Sequence, residues 1–220
     1  RPEDRLGAIL LEAPERWHGK PLPSGYDLSR LAEEVARLLA SRGSPGLDIV
    51  VQALEQSPEW DVRVAAARAL ADADNTVLPG LVAQFDSEDA ASPVLSVWVL
   101  ARRRDKLSVD ALAKAMDSPS ALVRRTAALG LCTHGASGRL VVRLTDPDYV
   151  VRWLAVQAAT RFGQQIDALT DMLDDPHPEI VRTAAAVVLV VPDHEHRIDR
   201  WRMGDSSALQ SLATRLQHLL

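Results

Sequence analysis

The sequence predicts an all-α chain folded as a right-handed α-solenoid, a superhelix of stacked antiparallel helix pairs. Three observations predict it. A motif built on a Val-Arg pair recurs at near-constant spacing, each copy is preceded by another apolar segment of helical periodicity, and Ser-Pro or Asp-Pro pairs separate the two halves of most units. The arginines are Arg63, Arg124, Arg152 and Arg182, with Pro93 standing in their column in one divergent unit, so that successive spacings are 30, 31, 28 and 30 residues. Self-similarity at such a period marks an array in which each unit buries its apolar face only against its neighbours.

Taken in order, residues 1–44 read as an N-terminal helical cap. "YDLSRLAEEVARLLASRG", Tyr26 to Gly43, places Leu28, Leu31, Val35, Leu38 and Leu39 on one helical face and ends on a glycine stop. A short helix and a Pro/Gly-rich loop precede it, with Trp17 and His18 expected to pack against the cap. Residues 45–191 hold five repeats. Their first halves, such as "PGLDIVVQALEQS", "LSVDALAKAMDS" and "SGRLVVRLTD", carry apolar residues at helical spacing, and the second halves do so at i, i+3, i+4 and i+7. Ser57-Pro58, Ser118-Pro119, Asp146-Pro147 and Asp175-Pro176 fall between the halves, where Pro stops one helix ahead of the next. Residues 192–205 form a polar loop insertion. Residues 206–220 supply a terminal helix with Leu209, Leu212, Leu216 and Leu219 on one face, as a cap, a half repeat, or a surface covered by another copy or a further chain.

Comparing columns between units separates packing from surface. Three positions after the Arg column stand Ala66, Ser96, Ala127, Ala155 and Ala185, all small, as required where helices approach closely. Seven positions after it, Leu70, Leu100, Leu131, Ala159 and Leu189 read as core. The columns at plus one and plus five vary in size and charge and are i, i+4 neighbours on one stripe, which is the behaviour of a surface. An Arg in the first turn of a helix sits at the wrong end of the macrodipole and needs a partner. Asp86, Asp117 and Asp175 lie seven residues before an Arg-column position and Asp146 six before. The simplest arrangement is a structural ladder of Arg63, Asp117, Arg124, Asp146, Arg152, Asp175 and Arg182, each carboxylate bonding a guanidinium of its own or the next unit and backbone N–H groups.

The period, the two-helix unit and the pattern D-x-x-x-x-V-R-x-x-A-x-x-A-L, nearly intact from Asp117 to Leu131 and from Asp175 to Leu189, resemble HEAT repeats, in particular the short thirty-residue type of phycobilin lyases and many bacterial proteins. The resemblance covers about Pro45 to Val191 and implies an armadillo-like binding scaffold. Two other functions follow from kindred families: a bilin lyase or chromophore-handling factor, and a nucleic-acid-binding helical-repeat protein. Iron hydroxylases of HEAT-like build carry several symmetric His-Glu pairs, whereas this chain has only His194-Glu195.

Composition narrows the choice. A net charge of −5 over 220 residues gives a field that repels a phosphate backbone, against nucleic acid as a bulk partner. The longest apolar run, Thr183 to Pro192, is far too short to span a bilayer. The single Cys132 fits a reducing compartment, so the cytoplasm is expected, and its place near the end of a second helix reads as a small buried hydrophobe. His194, Glu195 and His196 lack metal-ligand spacing, and no phosphate loop or nucleophile elbow is present. The expectation is therefore no catalytic residue, no metal and no cofactor. "ARRRDK", Ala101 to Lys106, reads as a solvated turn able to meet an acidic partner or a phosphate. The predicted function is a non-catalytic protein-binding scaffold, with second helices lining the concave side. Val64, Arg68, Trp98, Arg125, Leu129, Trp153 and Gln157 form the partner-facing stripe, with Trp98 and Trp153 as anchors.

Overall fold

The computed structural model describes residues 2–17, 27–87, 89–103, 105–162 and 166–190, together with 199, 202, 203, 210, 213 and 214. The chain divides into two compact units, residues 1–134 and 135–220. Every described regular element is an α-helix or a 3-10 turn, built as the stacked helix pairs of an α-solenoid.

In the first unit, α1 (Pro2–Trp17) and α2 (Leu28–Ala40) are followed by α3 (Ser44–Gln56) and α4 (Trp60–Ala71). Next come α5 (Leu78–Ala83), flanked by the 3-10 turns Asn75–Val77 and Gln84–Asp86, and then α6 (Ala91–Arg102), α7 (Lys106–Ala115) and α8 (Ala121–Thr133). Helices α2, α4, α6 and α8 pack in succession as one layer, and α1, α3, α5 and α7 lie behind them. Thus α2 occupies the row of second helices ahead of α4.

Local chemistry sets the element ends. Asp27 caps α2 by accepting from the Arg30 N–H at 2.7 Å, and Asp105 caps α7 by accepting from the Ser108 N–H at 2.8 Å. Gly43, at φ 77°, turns the chain from α2 into α3 in a conformation that favours glycine. The layers close on fully buried Leu39, Leu54, Leu70, Leu81, Leu100, Leu112 and Leu131. Gly130 lets α8 approach its neighbours, because a Cβ there would lie 2.9 Å from the Ala101 Cβ of α6 and 3.0 Å from Leu112 Cδ2 of α7.

In the second unit, the 3-10 segment Ser137–Arg143 leads to α9 (Tyr149–Phe162), α10 (Ile166–Asp171), the 3-10 turn Met172–Asp174 and α11 (Pro178–Val190). Helix α9 packs on the 3-10 segment and on α11, and Leu140, Val151, Ala155, Ala159, Leu169 and Ile180 are fully buried. The sequence predicts a first α-helix in every repeat. Instead, "SGRLVVR" coils as 3-10, and the first helices of the second and fifth repeats are six-residue α segments extended by 3-10 turns. A glycine, two adjacent β-branched valines and few residues before Asp146-Pro147 give too little to offset α-helix nucleation.

His18, the loop cluster His194–His196 and Leu209, Leu212, Leu216 and Leu219 of the predicted terminal helix lie outside the described residues. Among the described residues no helix is long and apolar enough to cross a membrane, and no group of three or more His, Cys, Asp or Glu could hold a metal ion.

Candidate functional site

The recurring arginines share one local task. Arg63 Nε donates to the Ser57 carbonyl at 2.6 Å, Arg124 Nη1 to Ser118 and Pro119 at 2.9 and 3.0 Å, and Arg152 Nη1 to Asp146 and Pro147 at 2.9 and 3.1 Å. Each guanidinium therefore satisfies carbonyls in the turn leading into its own helix. Arg152 and Arg63 also reach forward into the next repeat. Arg152 grips Asp175 through Nε at 2.6 Å and Nη2 at 3.1 Å, and Asp175 also accepts from the His177 N–H at 2.9 Å. Arg63 meets Asp89 at 2.6 Å and not Asp86, which is exposed.

Asp89 is fixed by Ser92, whose hydroxyl and N–H donate to it at 2.6 and 2.9 Å. The Ser92 hydroxyl bond, reinforced by Arg63 against the opposing effect of burial, holds the Asp89 pKa down to about 2. Burial works against ionisation of Asp175 as well, but the bonds from Arg152 and the His177 N–H prevail and lower its pKa. Arg182 differs from the other arginines: it pairs with Glu179 of its own helix, and both side chains are about 70% exposed, at 70% and 69%. Asp117 is exposed in the turn after α7, and Asp146 accepts from the Asp148 N–H at 2.8 Å.

The plus-one and plus-five columns lie on the outward side of the second helices. In the first unit Arg68 and Leu129 are exposed and Val64, Trp98 and Arg125 are half-buried. Arg68 is tied to Glu33 of α2, and the Arg102 guanidinium lies 4.9 Å from the centroid of the Trp98 ring. In the second unit, on α9, Trp153 is half-buried and Gln157 exposed, whereas Val187 on α11 turns inward and is buried. The column is thus outward-facing on α4, α6, α8 and α9 but not throughout.

One residue of the basic run departs from the expected solvated turn. Arg103 is 6% exposed and donates to the Leu70 and Ala73 carbonyls at 3.0 and 2.8 Å and to Asn75 Oδ1 at 2.6 Å. It closes the end of α4, one repeat back. His134, in the equivalent column, places Nε2 3.2 Å from the Leu100 carbonyl and so does the same for α6. A cavity of about 310 Å³ opens beside them, lined by Ala101, Arg102, Arg103, Thr133 and His134.

Stacked two-helix repeats with buried small-residue columns and arginine-braced turns define an α-helical repeat protein. Residues 139–218 match the family model described as HEAT repeats. Among solved structures it is similar to YibA of Escherichia coli, at 17% identity over 91% of this chain and 76% of that one, with a TM-score of 0.54. A designed armadillo repeat protein solved with the peptide (KR)4 aligns at 17% identity over 83% of this chain and 97% of that one, with a TM-score of 0.47. The likeness to YibA is one of fold. No curated protein matches the chain.

Proposed function

We propose that this chain is a non-catalytic scaffold that binds another protein on the concave, second-helix face of its array. One observation carries the reading. The second helices turn their recurring residues inward and leave a non-recurring set outward, Val64, Arg68, Trp98, Arg125 and Leu129 in the first unit and Trp153 and Gln157 in the second. Positions with the same neighbour in every repeat are constrained by packing, and positions facing outward are free to suit a partner. Trp and Arg supply large rigid contact area and directed hydrogen bonds, the properties that dominate binding hot spots. A single Cys132 suits a cytoplasmic protein.

The test begins with affinity capture from the native host and identification of the retained protein by mass spectrometry. Trp98→Ala and Trp153→Ala are then compared with wild type by titration calorimetry against that partner. Loss of about tenfold or more in affinity for either variant, corresponding to roughly 1.4 kcal/mol, supports the face. Unchanged affinity in two correctly folded variants places the interface elsewhere.

A further inference from the structure

We propose, resting on the scaffold reading, that the α6–α8 part of this face takes an extended segment of a partner protein carrying two apolar anchors and flanking carboxylates. The apolar component is on the surface already. Leu122 and Leu129 of α8 are 54% and 51% exposed, and the half-buried Trp98 of α6 stands in the same column as Leu129 on the helix packed against it.

Charge decides the rest. Neither α6 nor α8 contains an Asp or Glu, and the Arg102 side chain is exposed at the end of α6. The neighbouring α4 differs, since its Arg68 is already matched by Glu33. A positive, apolar island on a chain of net charge −5 suits a short acidic segment better than a polyanion, whose many phosphates would meet the repelling field of the whole molecule.

Arg102 is also held in place before any partner arrives. Stacking over Trp98 restricts a long side chain that would otherwise lose rotamer freedom on binding, and a stacked guanidinium keeps its N–H edge for a bidentate carboxylate. Arg102 also lines the 310 Å³ cavity, together with Ala101, Arg103, Thr133 and His134, so that an acidic side chain has room beside the guanidinium. Spacing follows from geometry. Packed helices lie roughly 8–10 Å apart and an extended chain advances about 3.3–3.6 Å per residue, so anchors on Trp98 and Leu129 should be about three residues apart.

The experiment is selection of a random twelve-residue phage-displayed peptide library against the purified chain, followed by fluorescence anisotropy of the enriched peptides. The expected consensus is two apolar residues about three apart with Asp or Glu beside them. Trp98→Ala and Arg102→Ala should each weaken binding by about tenfold, Arg102→Glu should shift the preference from acidic to basic flanks, and raising NaCl should weaken binding to wild type. Far-UV circular dichroism and Trp98→Phe control for folding.

An enriched consensus that lacks acids but depends on Trp98 overturns this proposal and leaves the scaffold reading intact. Peptides indifferent to both substitutions overturn the proposal and the face on which that reading stands. Self-association of the chain that Arg102→Glu abolishes assigns the island to a second copy and overturns it as well.

Discussion

Arg152 and Arg182 occupy one column a single repeat apart, and the structure assigns them very different worth. Arg152 and Asp175 are 12% and 4% exposed and joined by two bonds of 2.6 and 3.1 Å, with the guanidinium also holding the Asp146 and Pro147 carbonyls. Arg152→Ala leaves the Asp175 carboxylate buried with the His177 N–H at 2.9 Å as its described donor. Removing one partner of a buried pair costs about 3–5 kcal/mol, chiefly through the charge left behind. The exposed Arg182–Glu179 pair is screened by water and worth about 0–1 kcal/mol, so Arg182→Ala should be nearly silent. At about 2–4 °C per kcal/mol for a chain of this size, melting should fall by about 6–20 °C for Arg152→Ala and by at most about 4 °C for Arg182→Ala. Urea denaturation of both variants, with Asp175→Ala and the double mutant completing a cycle, measures the difference directly. The double mutant should lose less than the sum of the singles, because removing Asp175 relieves the stranded charge. If Arg152→Ala fell within about 0.5 kcal/mol of Arg182→Ala, the assignment of worth by burial would be refuted.

Packing and ionisation give three further predictions. Gly130→Ala should destabilise by up to about 2 kcal/mol, since an overpacking cost of about 1–3 kcal/mol against Ala101 and Leu112 exceeds a helix-propensity gain of about 1. Gly80→Ala in α5 should stabilise, because its nearest neighbour is Val51 Cγ1 at an ordinary 3.4 Å and the propensity gain is kept; urea midpoints that moved in one direction for both would contradict the packing argument. Asp89, Asp105 and Asp175 all have lowered pKa values, so their contribution is complete above the ordinary carboxylate value of 3.8 and lost as pH falls toward about 2, where Asp89 takes its proton. Urea midpoints should therefore drop between pH 4 and pH 2, less steeply in Asp89→Asn, and greater stability at pH 3 than at pH 6 would reverse the assigned sign.

The fold was legible because packing repeats. Ala66, Ser96, Ala127 and Ala155 recur at one column since each touches an equivalent neighbour, and all four are fully buried. Partner choice in the turns was less legible. Counting back seven residues from Pro93 finds Asp86, but the conformation between α5 and α6 carries Asp89 toward Arg63, with the Asp89 N–H 3.3 Å from Ser87 Oγ. Sequence spacing does not encode that turn. Arg103 was missed for another reason, because a run of basic residues reads as solvated as a group. Its signal lay in the column instead: Arg103 and His134 stand at one position of successive repeats, where the carbonyl ends of α4 and α6 need donors.

The outward columns set a different problem, because variation alone does not locate an interface. Val187 shows this, standing in the plus-five column yet buried in α11. What favours α6 and α8 is the coincidence of three properties that packing does not require. Large apolar side chains remain half or more exposed, carboxylates are missing from both helices, and a guanidinium is stacked on the only indole of the pair. A solvated structural face gains nothing from Leu122 and Leu129 left in water, each forgoing about 1.5–3 kcal/mol if it could be wholly buried instead. The same exposure is recovered when a partner covers it, which is why this part of the second-helix layer, and not the ion pairs of the turns, is where binding should be sought.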